Sequence, residues 1–212
     1  MGRYDFKACN PMKISRFVLV LYSAMIGCIH GIGEILQAGS KSNSLLIHAI
    51  DVANPDEIWH AGLPAFSIIP DLMITGIITV LISIAIVVFT ILWIERDYYK
   101  VLPIFFILLF LFGGGFVPPL IGMISSTFYI IKRKSNRHNK QPSLSRKLIA
   151  TSWIYLISVL LIWFPISWIM GWFFPTFRLK ISPVTFIMLD IVLPVLILVS
   201  AKIKINTVAC NE

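Results

Sequence analysis

Long apolar runs, separated by short polar stretches that are mostly basic, set the pattern of this chain. A helix that crosses a bilayer needs about 20 mostly apolar residues, because the hydrocarbon core is roughly 30 Å thick. Runs of that length or more extend over about 16–37, 67–94, 101–131, 148–174 and 183–203. The first run follows a polar lead of some fifteen residues, which with its length predicts an uncleaved anchor rather than a signal peptide.

The run over 101–131 has 31 residues, about 46 Å at the helical rise of about 1.5 Å, too long for one comfortable span. Near its middle stands Gly113-Gly114-Gly115-Phe116-Val117-Pro118-Pro119. Three glycines lower helix propensity and two prolines remove backbone donors, so the run reads as one broken helix or as two short helices joined by a tight turn.

Charge placement favours two helices, over 101–113 and 116–131. Of the 18 Lys and Arg residues, seven lie between Lys132 and Lys147 and four are Arg3, Lys7, Lys13 and Arg16. With the hairpin, 15 basic residues fall on one side of the membrane and only Lys41, Arg178 and Lys180 on the other; with a single span the split is 8 against 10. Lys and Arg accumulate in cytoplasmic loops. The expectation is therefore an all-α polytopic transmembrane bundle of about six segments, one membrane domain over 1–212, with both termini cytoplasmic and the plasma membrane as its place.

Composition agrees. Hydrophobic residues make up 58% of the 212 positions and charged residues 13%, against about 25% charged in soluble domains. The net charge of +8 would suit nucleic acid, but its distribution as flanks of apolar runs excludes that partner. Phe6 stands where a myristoylation signal needs Ser or Thr. Cys9, Cys28 and Cys210 form no metal or redox spacing, and no disulfide is expected. Trp93, Tyr98, Tyr99, Trp168 and Trp172 sit at predicted boundaries, as interfacial aromatics do. The connection over 38–66 carries Asp51, Asp56 and Glu57 and faces outward, with a short surface helix expected over 44–50. No repeat of fixed period is present.

Ionisable groups within apolar segments cost at least about 2.5 kcal/mol each, which makes them functional candidates. They are His30 and Glu34 in the first segment, Asp71 at the start of the second and Asp190 in the last. His30 and Glu34, four residues apart, share a helix face. Counted from the predicted outer ends, all four lie in the outer half of the bilayer, as does the Gly113–Pro119 turn. Irregular backbone is tolerated at that depth where protein buries it or water reaches it. An outward-open polar vestibule lined by His30, Glu34 and Asp190, beside Gly113, Gly114, Gly115, Pro118 and Pro119, is the simplest synthesis.

Plainer readings stand beside it. His30, Glu34 and Asp190 can serve only to hold helices in register. Asp71 follows Pro70, where it suits a helix cap. His48 and His60 read as solvated loop residues, and Gly27, Gly31 and Gly33 as a close-packing face. His30 and Glu34 supply two of the three or four ligands a metal needs, so no metal is assigned, and no cofactor. No catalytic triad or phosphate-binding loop appears in a suitable context.

Gly27-Cys28-Ile29-His30-Gly31-Ile32-Gly33-Glu34 and the Gly113–Pro119 stretch together resemble an uncharacterised group of small multi-pass prokaryotic membrane proteins. The resemblance covers roughly the first 125 residues. It implies that both stretches belong to one site and brings no activity with it.

Three functions stay open. The first is a non-catalytic membrane protein that binds a partner, with the polar groups packing helices. The second is a small proton- or cation-coupled transporter using His30, Glu34 and Asp190. The third is a membrane-embedded enzyme with His30 as acid, base or metal ligand. The expected partners are the lipid bilayer and either another membrane protein or a second copy of the chain. Topology is directly testable: with native cysteines removed, a single cysteine at Ser42 should react with an impermeant reagent from outside and one at Ser135 should not. Labelling at both positions excludes the six-segment arrangement.

Overall fold

The computed structural model describes residues 10–36, 45–47, 65–92, 101–127, 144–173 and 183–208. These form six helices and one strand pair: α1 (Pro11–Leu36), β1 (Leu46–Ile47), β2 (Ala65–Phe66), α2 (Leu72–Leu92), α3 (Leu102–Leu111), α4 (Val117–Thr127), α5 (Leu144–Phe173) and α6 (Pro183–Val208). The architecture is all-helical apart from β1 and β2, which pair antiparallel with Leu46 opposite Phe66 and Ile47 opposite Ala65. The surface helix expected over 44–50 is thus corrected. Leu46 and Ile47 take extended backbone because β2 offers them a ladder, which the Ser67 N–H to Leu45 carbonyl bond continues. Trp93, Tyr98, Tyr99, His48, His60, Asp51, Asp56, Glu57, Cys9, Cys210, the basic stretch over 132–143 and the side chains of Trp168 and Trp172 lie outside the described residues.

Helix ends follow local chemistry. α1 begins five residues ahead of the apolar run, where the Asn10 side chain accepts the Met12 N–H at 3.0 Å and Pro11 occupies the first turn. α2 starts at an Asp71 cap, whose Oδ1 accepts the Ile74 N–H at 3.0 Å. α5 likewise reaches back into the basic flank, to Leu144.

α1, α2 and the Leu144–Ile166 part of α5 are each long and apolar enough to cross a membrane. The faces of α2 are inverted relative to a helix in water. Thr75, Gly76, Thr79, Ser83 and Thr90 are buried along with Leu72 and Ile86, while Met73, Ile77, Leu81, Ile84, Val88 and Ile91 are exposed. A helix in water buries its apolar stripe. Polar-inside, apolar-outside is the order that a lipid solvent selects, since lipid accepts apolar side chains and leaves polar groups to seek protein partners.

α1 is the central element, with a packed cluster on either flank. Leu19 and Tyr22 join Ile121, Trp153, Leu160 and Ile197 on one side. Val20 and Ala24 join Ile86, Leu102, Phe106 and Leu109 on the other. Small residues let α1 and α2 approach closely: a Cβ placed on Gly31 would stand 2.8 Å from the Gly76 carbonyl oxygen. Gly27, one turn earlier on α1, meets Ser83, two turns later on α2, so the two helices run antiparallel. α3 then runs against α2, with Phe89 beside Phe105 at one end and Thr79 donating to the Phe112 carbonyl at the other.

α4 turns back along α3 and α1. The Phe106 ring fills the space over Gly122. At the far end of α4, the fully buried Arg16 guanidinium donates through Nε to the Ser125 carbonyl at 3.2 Å and through Nη2 to the Ser126 carbonyl at 3.4 Å. Those carbonyls belong to the last helical turn, where backbone acceptors lack intrahelical partners and the helix dipole is negative. α5 and α6 close the bundle: the Trp153 indole donates to Ser15 Oγ at 2.6 Å, and Lys204 Nζ sits 4.4 Å over the same ring.

A bond from a charged donor contributes about 1.5–3 kcal/mol, and a buried acceptor left alone carries a desolvation cost. Arg16→Met should therefore lower unfolding stability in detergent by at least about 1.5 kcal/mol. Arg16→Lys should recover part of that loss, because one ammonium can still reach one carbonyl. Equal stability of all three proteins would remove the clamp.

Candidate functional site

Where α3 ends, the chain closes its last turn with a 2.8 Å bond from the Gly114 N–H to the Leu109 carbonyl. That is the six-to-one bond of a glycine-capped helix end, and Gly113 holds the left-handed position with φ of 97°. The other donors and acceptors of the turn go outward. Gly113 N–H reaches the Phe66 carbonyl at 2.9 Å, Ile68 N–H reaches the Leu111 carbonyl at 3.1 Å, and Ser67 and Phe112 form an antiparallel bridge. Gly115 also has a positive φ, 75°. α4 then starts on Val117-Pro118-Pro119. A helix start leaves N–H groups without intrahelical acceptors, and two prolines in the first turn abolish two of them.

The residues singled out from the first helix converge on this turn. Glu34, 4% exposed, lies against Gly113: a Cβ there would stand 2.3 Å from Oε1 and 2.7 Å from Oε2. His30, 6% exposed, lies against Gly115, where a Cβ would stand 2.9 Å from Nε2. Two stretches some eighty residues apart in sequence thus touch along their length.

Hydroxyl groups complete the surroundings. Thr79 on α2 donates to the Phe112 carbonyl, and Ser23 on α1 donates to the Pro118 carbonyl. Thr75 donates to the Ile69 carbonyl at 2.9 Å and pairs with Ser67 Oγ at 2.9 Å, which leaves its methyl group toward Gly113 and Glu34. Neither oxygen of the Glu34 carboxylate has a hydrogen-bond partner among the described residues.

The other sequence candidates stand apart from this turn. Asp71 is exposed and caps α2. Asp190, half-buried on α6, accepts from Tyr22 Oη at 2.9 Å and from the Trp163 indole at 3.3 Å. Tyr22 precedes His30 by eight residues, roughly 12 Å along the helix axis. Asp190 thus joins α6 to α1 and α5 through its own set of donors. Among the described residues no three His, Cys, Asp or Glu side chains group as a metal site requires. Cys28 is a half-buried free thiol.

Arg16, Ser23, Ser67, Thr75 and Thr79 were not singled out from sequence. A signal for two of them exists: Arg16, Ser23 and His30 recur every seven residues, close to two helical turns, and so share a face of α1.

No protein-family model, curated protein or solved structure matches this chain.

Gly113→Ala carries two costs. A left-handed conformation costs a non-glycine residue about 1–2 kcal/mol, and the new methyl group collides with the Glu34 carboxylate. Detergent unfolding should show a loss above about 2 kcal/mol, part of which is recovered by adding Glu34→Ala, because neighbouring sites couple. A strictly additive double mutant would mean that Glu34 does not rest on Gly113.

Proposed function

We propose that this chain is a six-segment integral protein of the plasma membrane with both termini cytoplasmic, and that it works as a small proton- or cation-coupled transporter. The observation that carries the transport reading is Glu34, an enclosed carboxylate without a donor among the described residues, set against the interrupted backbone at Gly113. Transporters build ion sites from discontinuous helices whose breaks line the site, and ionisable side chains inside a membrane mark ion or proton paths. Here the break is the α3–α4 turn and the ionisable groups are His30 and Glu34; Asp190 has its own partners and is left out.

The topology draws support from Arg16. Its bonds to Ser125 and Ser126 bring the end of α4 to the N-terminal end of α1. α4 thus ends beside the start of α1, which supports a reading with both basic flanks on one side, as the positive-inside bias requires.

A non-catalytic reading has its own observation. Arg16, Ser23 and Thr79 all spend their polar groups on backbone carbonyls, which is a packing role. Flux decides between the two. In sealed liposomes containing the purified protein, an imposed proton, Na+ or K+ gradient should dissipate faster than in empty vesicles, and Glu34→Gln should abolish the difference. Wild-type vesicles as tight as empty ones leave the packing reading.

A further inference from the structure

We infer that Glu34 is a proton site: within the α1–turn contact it carries a proton on its carboxyl group and binds no metal cation. The inference rests on the transport reading only for its role and on geometry for its existence.

Both Glu34 oxygens are enclosed, and neither receives a hydrogen bond among the described residues. An ionised carboxylate held that way faces a large desolvation cost with nothing to offset it, so a counter-charge must sit on it or beside it. Several donors around the glycine turn are committed to backbone carbonyls. The hydroxyls of Ser23, Thr75 and Thr79 point at the carbonyls of Pro118, Ile69 and Phe112, and the Gly113 N–H points at Phe66. The Thr75 methyl group and the Glu34 carboxylate reach the same space over Gly113.

A hard metal cation would need about six oxygen ligands around it. Among the described residues no third His, Cys, Asp or Glu side chain groups with His30 and Glu34, and the Gly113 backbone lies against both carboxylate oxygens. A proton needs neither ligands nor space. Its environment is also simple in charge. α2, α3 and α4 contain no titratable side chain, and Asp71, just ahead of α2, is exposed and capping. Among the described residues His30, on the same helix face, is the one titratable group placed with Glu34 on the turn.

Infrared difference spectroscopy of the purified full-length protein at neutral pH tests this. Wild type minus Glu34→Gln should show the carbonyl stretch of a protonated carboxyl group, shifted by deuterium exchange and unchanged by excess Na+, K+ or Mg2+. Glu34→Asp should move that band rather than remove it, which keeps the test decisive if the glutamine variant does not fold. Carboxylate bands in place of the carbonyl band overturn the proton site, as does a carbonyl band that disappears when one of those cations is added. Because the spectrum needs no flux, the two readings fail separately. The band without flux removes the transport role, and flux with an ionised Glu34 removes the proton site.

Discussion

A helix that stops and restarts inside an apolar medium exposes backbone groups that the medium cannot satisfy, and each costs several kcal/mol if left alone. The chain is interrupted between Leu111 and Val117 among apolar helices, and the structure answers the freed groups one by one. Gly114 closes the end of α3, Phe66 and Ile68 add a short extended partner, and Thr79 takes the Phe112 carbonyl. On the far side of the break, Ser23 takes the Pro118 carbonyl, and Arg16 holds the carbonyls at the end of α4. Two prolines remove donors that would otherwise need partners. The break is thus a set of substituted hydrogen bonds, supplied by its own turn, by the β2 segment, by α1 and by α2.

This explains why α1 is central and why its polar residues fall where they do. Arg16, Ser23, His30 and Glu34 form one stripe that follows α4 backward, from its last turn to the glycine turn. The opposite flanks of α1 are apolar and feed the two packed clusters. Three members of the stripe are explained by packing alone or in part. Glu34 is not, since a residue placed only to stabilise the turn would be better as a donor than as a carboxylate with no donor to meet it. Among the described residues the Glu34 oxygens and Ser83 Oγ lack partners, and of these the carboxylate is the ionisable group, where function is most economically sought.

Much of this was legible from the chain. Long apolar runs announced the helices because lipid imposes one length scale on every span, and the glycine–proline stretch announced the break because its residues cannot continue a helix. His30 and Glu34 stood out because ionisable groups are rare in such runs. What escaped is long-range. Arg16 reads from sequence as a membrane-flanking charge, and only the return of α4 shows that it caps another helix. Asp190 counted from its helix end matches the depth of His30, but depth carries no azimuth, and its hydrogen bonds go to Tyr22 and Trp163. The strand pair escaped because two residues give no period, and Leu46–Ile47 reads equally well as helix.

The contact between Glu34 and Gly113 joins the structural and the functional halves of this account. The turn keeps its shape partly because a carboxyl group occupies the space over a residue that has no side chain of its own. Unpaired burial costs a neutral carboxyl group far less than an ionised one. An ionised one would draw donors or water toward itself, and the nearest donors are the hydroxyls and N–H groups that now satisfy the break. Loss of the Glu34 proton would therefore compete for the same hydrogen bonds that hold α3 to α2 and β2. A charge change on one side chain of α1 is thereby coupled to the backbone of the α3–α4 turn, through contacts already present and without any distant relay. Under the proposed proton-coupled reading, the conformational step belongs at the glycine turn rather than at the Arg16 end, where a permanently charged group holds α4 in place.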